Sequence, residues 1–429
     1  MRKPLMTASV LLLALGFSGC VDNGSSAKQA EGPLKVTITD TECKVSGNTA
    51  PSGKIVFKVT NEGTVPNEFE ILAADKLQIM SEKENIGPGT SVELTTALGE
   101  GEYFTACKPN MVGALVGDAK FTVTKGEEVQ ISADQKKVEE AAVANYTAYV
   151  KDQTGILLDK TKQFAQAYQS GDMDTARKLY PVARVFYERI EPTAEAFGIE
   201  EPGDLDGALD LRIQDLANDE HKQVTDPELL KQWTGWHRIE ADLFAQDPAF
   251  KFQDDAARKA EAELLVKNTQ ALYDLVYDKV DGPNGKKFTV SLEDVTTGAS
   301  GLLEEVALGK IVGEEETFSH TDLSDFQANL DGARVAYGNV KPLVEAKDPK
   351  LAEKIDAGFK EIQGMLDSHR NGEVDGVPTF VDYSTIAAVQ KDAGVAPGDA
   401  DYTAEQRKFS DAVNGLAENL AKVQGIILH

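Results

Sequence analysis

The stretch "ISADQKKVEE", residues 131–140, divides the chain into two textures. Ser132 and Gln135 have capping-box spacing, and the following "KKVEEAAVANYTAYVKDQTGILLDKTKQFAQAY" is rich in helix formers with apolar residues every three or four positions. Helical texture continues to the C-terminus, broken at "GDMD", "DGPNG" and "KDPK". Upstream, from Leu34 to about Thr124, the apolar period is two: Val36 and Ile38; Ile55, Phe57 and Val59; Val92 and Leu94; Phe121 and Val123. Turn signals in "SGNTAPSG", "NEGTVPN" and "IGPG" separate these runs. The expectation is a multidomain β + α chain: a small β-sandwich over residues 34–126, then an all-α bundle over residues 132–429.

A length of 429 residues suits two domains. Lys and Arg total 44 against 71 Asp and Glu, a formal charge of -27 that repels phosphates and favours cations. Nucleic acid binding is excluded on that ground.

The N-terminus reads as an export signal over residues 1–19: Arg2 and Lys3, an apolar run from Leu11 to Phe17, then small residues before Cys20. The apolar run is too short to span a bilayer. It resembles a bacterial lipoprotein signal with Cys20 as the lipidated new N-terminus, although Phe17 stands where Leu is usual. The other reading is an ordinary signal peptide with a chance cysteine. A polar linker over residues 20–33 would tether an extracytoplasmic protein, lipid-anchored at the cell membrane or periplasmic.

In the β half, "GEYFTACKPNMVG" resembles the copper-loop strand of cupredoxins. A blue-copper centre needs two imidazoles beside the thiolate. The first histidine in the chain is His221, so such a centre is excluded here. Cys43 and Cys107 either pair in an oxidising compartment or leave Cys107 free as a donor beside Met111. Carboxylates gather in "NEFEIL" (Glu68, Glu70) and "MSEKENIGPG" (Glu82, Glu84), as a cation site or merely as solvated loops.

The helical half contains an internal echo: "ARVFYERIEP" at 183–192 and "ARVAYGNVKP" at 333–342, which suggests duplicated half-bundles. On a helical wheel Arg184, Tyr187, Glu188 and Glu191 share one polar face in the first copy. The second copy keeps Arg334 and Tyr337 but replaces the glutamates by Gly338 and Lys341.

The stretch "TDPELLKQWTGWHRIEADLF" opens with Asp226 as cap and Pro227 in the first turn. Read as one helix, it gathers Leu229, Leu230, Trp233, Trp236, Leu243 and Phe244 on a broad arc that also holds His237 and Glu240. A carboxylate in an apolar stripe costs about 2–7 kcal/mol or more unless it is paired, protonated or coordinated. Three readings compete: a core histidine satisfied by its own glutamate, a peptidase site, and a bundle metal seat completed by carboxylates from facing helices. The zinc-peptidase pattern H-E-x-x-H is absent, since Arg238 and Ala241 occupy its second and last positions, as are a G-x-S-x-G elbow and a P-loop.

The stretches "GWHRIE", "YERIEP", "LDLRIQD", "GLLEEVALGKI" and "EEETFSHTDLSDFQANLDG" resemble the imelysin-like family. With the cupredoxin-like half and the lipoprotein signal, the arrangement resembles the iron-binding lipoproteins of Efe-type ferrous-iron uptake systems. The resemblance implies non-catalytic binding and delivery of iron, as Fe2+ or Fe3+, with Zn2+ or Mn2+ as other cations for the same donors. It implies two partners, a membrane iron permease and a secreted haem peroxidase. Carried over residue by residue, it implies a metal site from His237 and Glu240, an acid in "YERIEP" (Glu188 or Glu191), one in "LDLRIQD" (Asp210 or Asp215) and Glu305 in "GLLEEV". Glu305 is preferred to Glu304 because its flanking residues would bury it. His320 reads as a helix-start residue, and His221, His369 and His429 as exposed. A metallopeptidase using the same metal site is the alternative function, and an envelope adhesin with a purely structural histidine pair is a weaker one.

Overall fold

The computed structural model describes residues 32–428, except 73, 75, 77–78, 110–114, 127–132, 193–202, 283–284 and 392. The export signal, Cys20, Met111, the capping pair's Ser132 and His429 therefore lie outside the described residues, as does the side chain of Glu84.

The β half is a two-sheet sandwich. One sheet has the order β2-β1-β4-β7, from β1 (Leu34–Ile38), β2 (Cys43–Val45), β4 (Gly53–Asn61) and β7 (Ser91–Leu98). The other runs β3-β9-β8-β5-β6, from β3 (Thr49–Pro51), β5 (Asn67–Leu72), β6 (Ile79–Ile86), β8 (Gly101–Pro109) and β9 (Val116–Thr124). Alternation turns Val36, Ile38, Ile55, Phe57, Val59 and Leu94 inward from the first sheet, and Phe69, Ile71, Phe121 and Val123 from the second. Phe57 sits across the gap from Phe69 and Phe121, with ring centroids 5.3 and 5.6 Å away.

Cys43 on β2 and Cys107 on β8 form a disulfide that ties one sheet to the other. This corrects the reading of Cys107 as a free donor, because a sulfur committed to a disulfide offers no thiolate. The linkage settles a point that the two cysteines alone left open.

The helical half contains, among the described residues, α1 (Ala133–Gln169), α2 (Met173–Glu188), α3 (Leu205–Asp210), α4 (Ile213–Asp219), α5 (Pro227–Gln232), α6 (Trp236–Phe244), α7 (Asp255–Val276), α8 (Leu292–Leu308), α9 (Asp322–Lys347), α10 (Pro349–Ser368) and α11 (Ala404–Ile427). It departs from the all-α expectation in one antiparallel hairpin, Arg370–Val374 with Val377–Phe380, between α10 and α11. The long helices α1, α2, α7, α8, α9, α10 and α11 share one continuous apolar core. Side-chain oxygens of Asp172, Asp226, Asp254, Ser291 and Thr403 cap α2, α5, α7, α8 and α11, satisfying backbone N–H groups that no helical carbonyl reaches.

The stretch containing His237 departs from expectation. Asp226 caps as predicted, but the helix ends at Gln232 and a new one starts at Trp236. The cause is Gly235, whose φ of 92° lies in the left-handed region. A Cβ there would stand 2.1 Å from the Leu209 carbonyl oxygen, so the bare backbone is what lets α6 start against the end of α3.

The echoing segments lie on α2 and α9, which pack together. Their environments differ. Arg184 and Tyr187 are fully buried, whereas the Arg334 side chain is 42% exposed and pairs loosely with Asp331.

The sandwich meets the bundle along β6 and β7. Thr96 hydrogen-bonds to Glu293 at the start of α8, and Lys83 pairs with Glu304 further along the same helix.

Candidate metal centre

Three short segments converge on the buried face of α2. Helix α3 ends at Asp210, α6 carries His237 and Glu240, and an irregular acidic segment brings in Glu314, Glu315 and Glu316 ahead of α9. Helix α2 itself supplies Arg184 and Glu188, with Glu191 just beyond its end.

His237 is 2% exposed and bridges two of these segments. Its Nδ1 lies 3.2 Å from Glu240 Oε2, while its Nε2 lies 3.2 Å from Glu315 Oε1 and 3.4 Å from Asp210 Oδ1. Glu240 is anchored in turn: its Oε1 accepts from the backbone N–H groups of Phe318 and Ser319 at 2.8 and 2.7 Å. Burial and Arg184 oppose the imidazolium, but Asp210, Glu240 and Glu315 outweigh them and push the His237 pKa up to about 10.

Arg184 is the hub of the carboxylates. Its guanidinium pairs with Asp210 and Glu188 and stands 2.8 Å from Glu315 Oε1 and 2.7 Å from Glu316 Oε1. Lys310, on a 3-10 turn (Lys310–Val312) after α8, places its Nζ 2.7 Å from Glu188 Oε2, 2.8 Å from Glu191 Oε2 and 3.4 Å from Glu305 Oε2.

Negative charge still dominates. Glu188, Glu191, Asp210, Glu240, Glu315, Glu316, Asp322 and Asp325 are all buried here, against Arg184, Lys310 and His237. The surplus shows in the titration. Burial, then Glu188 and Glu305, raise the Glu191 pKa well above the usual carboxylate range. Burial and Glu240 bring Glu316 to about 7, and burial with Glu316 raises Asp322 and Asp325 well above the usual carboxylate range. Glu315 goes the other way, since Lys310, His237 and Arg212 overcome its burial. Both oxygens of Asp325 are buried without a hydrogen-bond partner. A site of this kind holds protons when empty and gains by exchanging them for a cation.

Two overlapping groups have ligand atoms within 4.8 Å of one another: Asp210, His237 and Glu315; and Glu188, Glu191, Asp210 and Glu315. One imidazole with several carboxylates suits Fe(II), Fe(III), Mn(II) or Zn(II) rather than a soft monovalent ion.

A third group, Glu68, Glu70 and Glu82 in the sandwich, likewise brings carboxylate oxygens within 4.8 Å of one another. Phe69 and Ile71 of β5 point into the sandwich, so Glu68 and Glu70 share the sheet's outer face, where Glu70 lies opposite Glu82 on β6 and Glu68 opposite Lys108 on β8. Lys108 Nζ stands 3.3 Å from Glu70 Oε1 and 3.9 Å from Glu68 Oε2. Burial chiefly raises the Glu82 pKa, with Glu70 and Glu305 adding to it.

Residues 142–422 match the imelysin family, and residues 6–116 match a cupredoxin-like domain. The iron uptake system component EfeO of Yersinia pseudotuberculosis is 34% identical over 94% of this chain and 93% of its own length. EfeO of Yersinia pestis is 33% identical over 92% and 91%, and EfeO of Escherichia coli K12 is 32% identical over 97% of each. The chain belongs to the EfeO family.

In this EfeO-family chain His237, Glu240, Glu188, Glu191 and Asp210 come together. Asp215 does not join them; it pairs with Arg212 at 2.8 Å, on the flank. Glu305 reaches the cluster only through Lys310, and it is no better buried than Glu304, their side chains being 16% and 14% exposed. The flanking residues that suggested otherwise lie on the same helix, while the sandwich covers both glutamates. His320 immediately precedes α9, whose cap position is Thr321. His369 is half-buried with Nε2 3.3 Å from Glu405, not exposed as expected.

Sequence reasoning passed over Glu315 and Glu316, the residues that close the centre, and over Lys310, Asp322 and Asp325. The signal was the triplet "EEE" at 314–316, within a stretch singled out only for its resemblance. A run of acids in an irregular segment has no periodicity to show that it is buried.

Proposed function

We propose that this protein is a non-catalytic, extracytoplasmic iron-binding and delivery component of an iron uptake system, with the cation held between Asp210, His237 and Glu315. The name and extent of the EfeO relatives support the uptake role. The observation that carries the site is the meeting of His237 Nε2 with Glu315 and Asp210 at 3.2 and 3.4 Å inside an over-acidic core. Nδ1 turned to Glu240 leaves Nε2 as the ligand atom, the carboxylate–histidine–metal arrangement that orients a ligating ring. Glu188 and Glu191, held here by Arg184 and Lys310, lie on the other side of Asp210 and Glu315 as further oxygen donors once those cations give way. A lipid on Cys20 would keep the protein at the membrane, where an iron permease would receive the ion and a haem peroxidase would act on the same iron.

The metallopeptidase reading needs a glutamate free to take a proton from water. Both oxygens of Glu240 are engaged, one by two backbone N–H groups and the other by His237. That favours an orienting role over a base.

The test is titration of the form starting after Cys20 with anaerobic Fe(II), aerobic Fe(III) and Zn(II), beside the His237→Ala, Glu240→Ala double variant. A tight stoichiometric site lost in a folded variant supports the reading. Equal weak binding by both sinks it, and turnover of denatured protein abolished by chelation would favour the peptidase.

A further inference from the structure

Lys310 occupies ground that a metal ion would need. Its ammonium contacts Glu188 and Glu191, two members of the second cation-capable group, at 2.7 and 2.8 Å, and it is only 3% exposed. An ammonium at that distance competes with a cation bound to the same oxygens, because the two like charges would stand only about 4 Å apart in a buried site.

The surroundings allow one to give way. The turn that carries Lys310 lies between Gly309 and Gly313, and its backbone is wedged: a Cβ on Gly313 would lie 2.8 Å from that of Val389. That packing opposes movement of the backbone at Gly313, so a displacement of the charge falls to the four-carbon stem, a flexible carrier of a single point charge. Glu305 lies on the outer side, 3.4 Å from Nζ. It also borders a cavity of about 50 Å³ between sandwich and bundle, which Glu82, Glu304 and Ser300 line with it. An ammonium leaving Glu188 and Glu191 thus has a third carboxylate already in contact and, behind it, a cavity bordered by Glu82 as well as by the Lys83–Glu304 pair.

We propose that Lys310 is a placeholder cation: its ammonium holds Glu188 and Glu191 together in the empty centre and is displaced towards Glu305 and the interdomain cavity when a multivalent cation takes those carboxylates. The inference rests on the metal-binding reading above and adds to it a built-in competitor that sets affinity.

Zn(II) calorimetry on wild type, Lys310→Met and Lys310→Arg, each in the form starting after Cys20, tests it. Removing the competing charge in Lys310→Met tightens binding by on the order of tenfold or more. Lys310→Arg weakens it, because a planar guanidinium with several donors is harder to expel. A lysine that merely holds the centre in shape predicts weaker or equal binding in Lys310→Met, and that result in a folded variant overturns the proposal. If the variants do not fold, amine methylation of wild type read by mass spectrometry decides: Lys310 is protected without metal and modified after one equivalent of Zn(II). Protection in both states overturns the proposal, whereas a wild type that binds neither Zn(II) nor iron overturns the metal-binding reading itself.

Discussion

His237 Nδ1 lies 3.2 Å from Oε2 of Glu240, one helical turn further on, so the ring is held with its other nitrogen facing Glu315 and Asp210. Replacing Glu240 by Gln preserves the length of the side chain but removes the charge that favours Nδ1–H. We expect metal affinity to fall by roughly 10–100-fold, as loss of a histidine's orienting partner does elsewhere, with the fold retained. Glu240→Ala goes further, since it leaves the N–H groups of Phe318 and Ser319 without their acceptor at about 1–3 kcal/mol each. Calorimetric titration and urea unfolding of the two variants separate these effects.

Gly235→Ala should damage the same centre without touching a ligand. The strained φ and the clash with the Leu209 carbonyl together cost about 1–3 kcal/mol or more, and relief moves α6 away from Asp210. The expected outcome is a lower unfolding midpoint together with weaker metal binding, both restored by reversion.

The pH dependence follows from groups whose pKa values are raised. His237, raised from 6.5 to about 10, contributes stability that is complete below 6.5 and lost as pH rises through 10. Glu316, raised from 4.5 to about 7 by its burial and by Glu240, contributes stability that is present in acid and lost as pH rises through 7. Both effects have one sign, so the metal-free protein loses stability from these groups between mildly acid and alkaline pH. Metal binding to His237 requires loss of its proton, so affinity strengthens over that range by about tenfold per pH unit for each proton released. Urea midpoints and Zn(II) affinities at about pH 6, 7.5 and 9 check both trends.

Cys43 and Cys107 are separated by 64 positions, and opening a loop of that length costs about 4 kcal/mol in the chain-entropy account. The Cys43→Ser, Cys107→Ser variant should lower the unfolding midpoint of the sandwich and leave His237-dependent metal binding intact. Alkylation of the wild-type form starting after Cys20 should find neither thiol free until reductant is added.

What could be read in linear order was the order of architectures and the burial of the histidine pair. A two-residue period giving way to a helical one near residue 131 records which faces avoid water, and that record is local. The same logic placed His237 and Glu240 in an apolar arc, and their burial survived even though Gly235 splits the expected helix in two. Periodicity identifies a buried face but not what it will meet. Glu315 meets His237 from 78 positions away, and Lys310 meets Glu188 from 122, across segments whose only common property is where the backbone leaves them. The choice of Asp210 over Asp215 was likewise made by packing, since Gly235 admits the end of α3 and Asp215 turns aside to Arg212. Close, dehydrated contact between remote segments is a property of the folded chain, and it is this contact that gathers dispersed acids into one buried acidic centre.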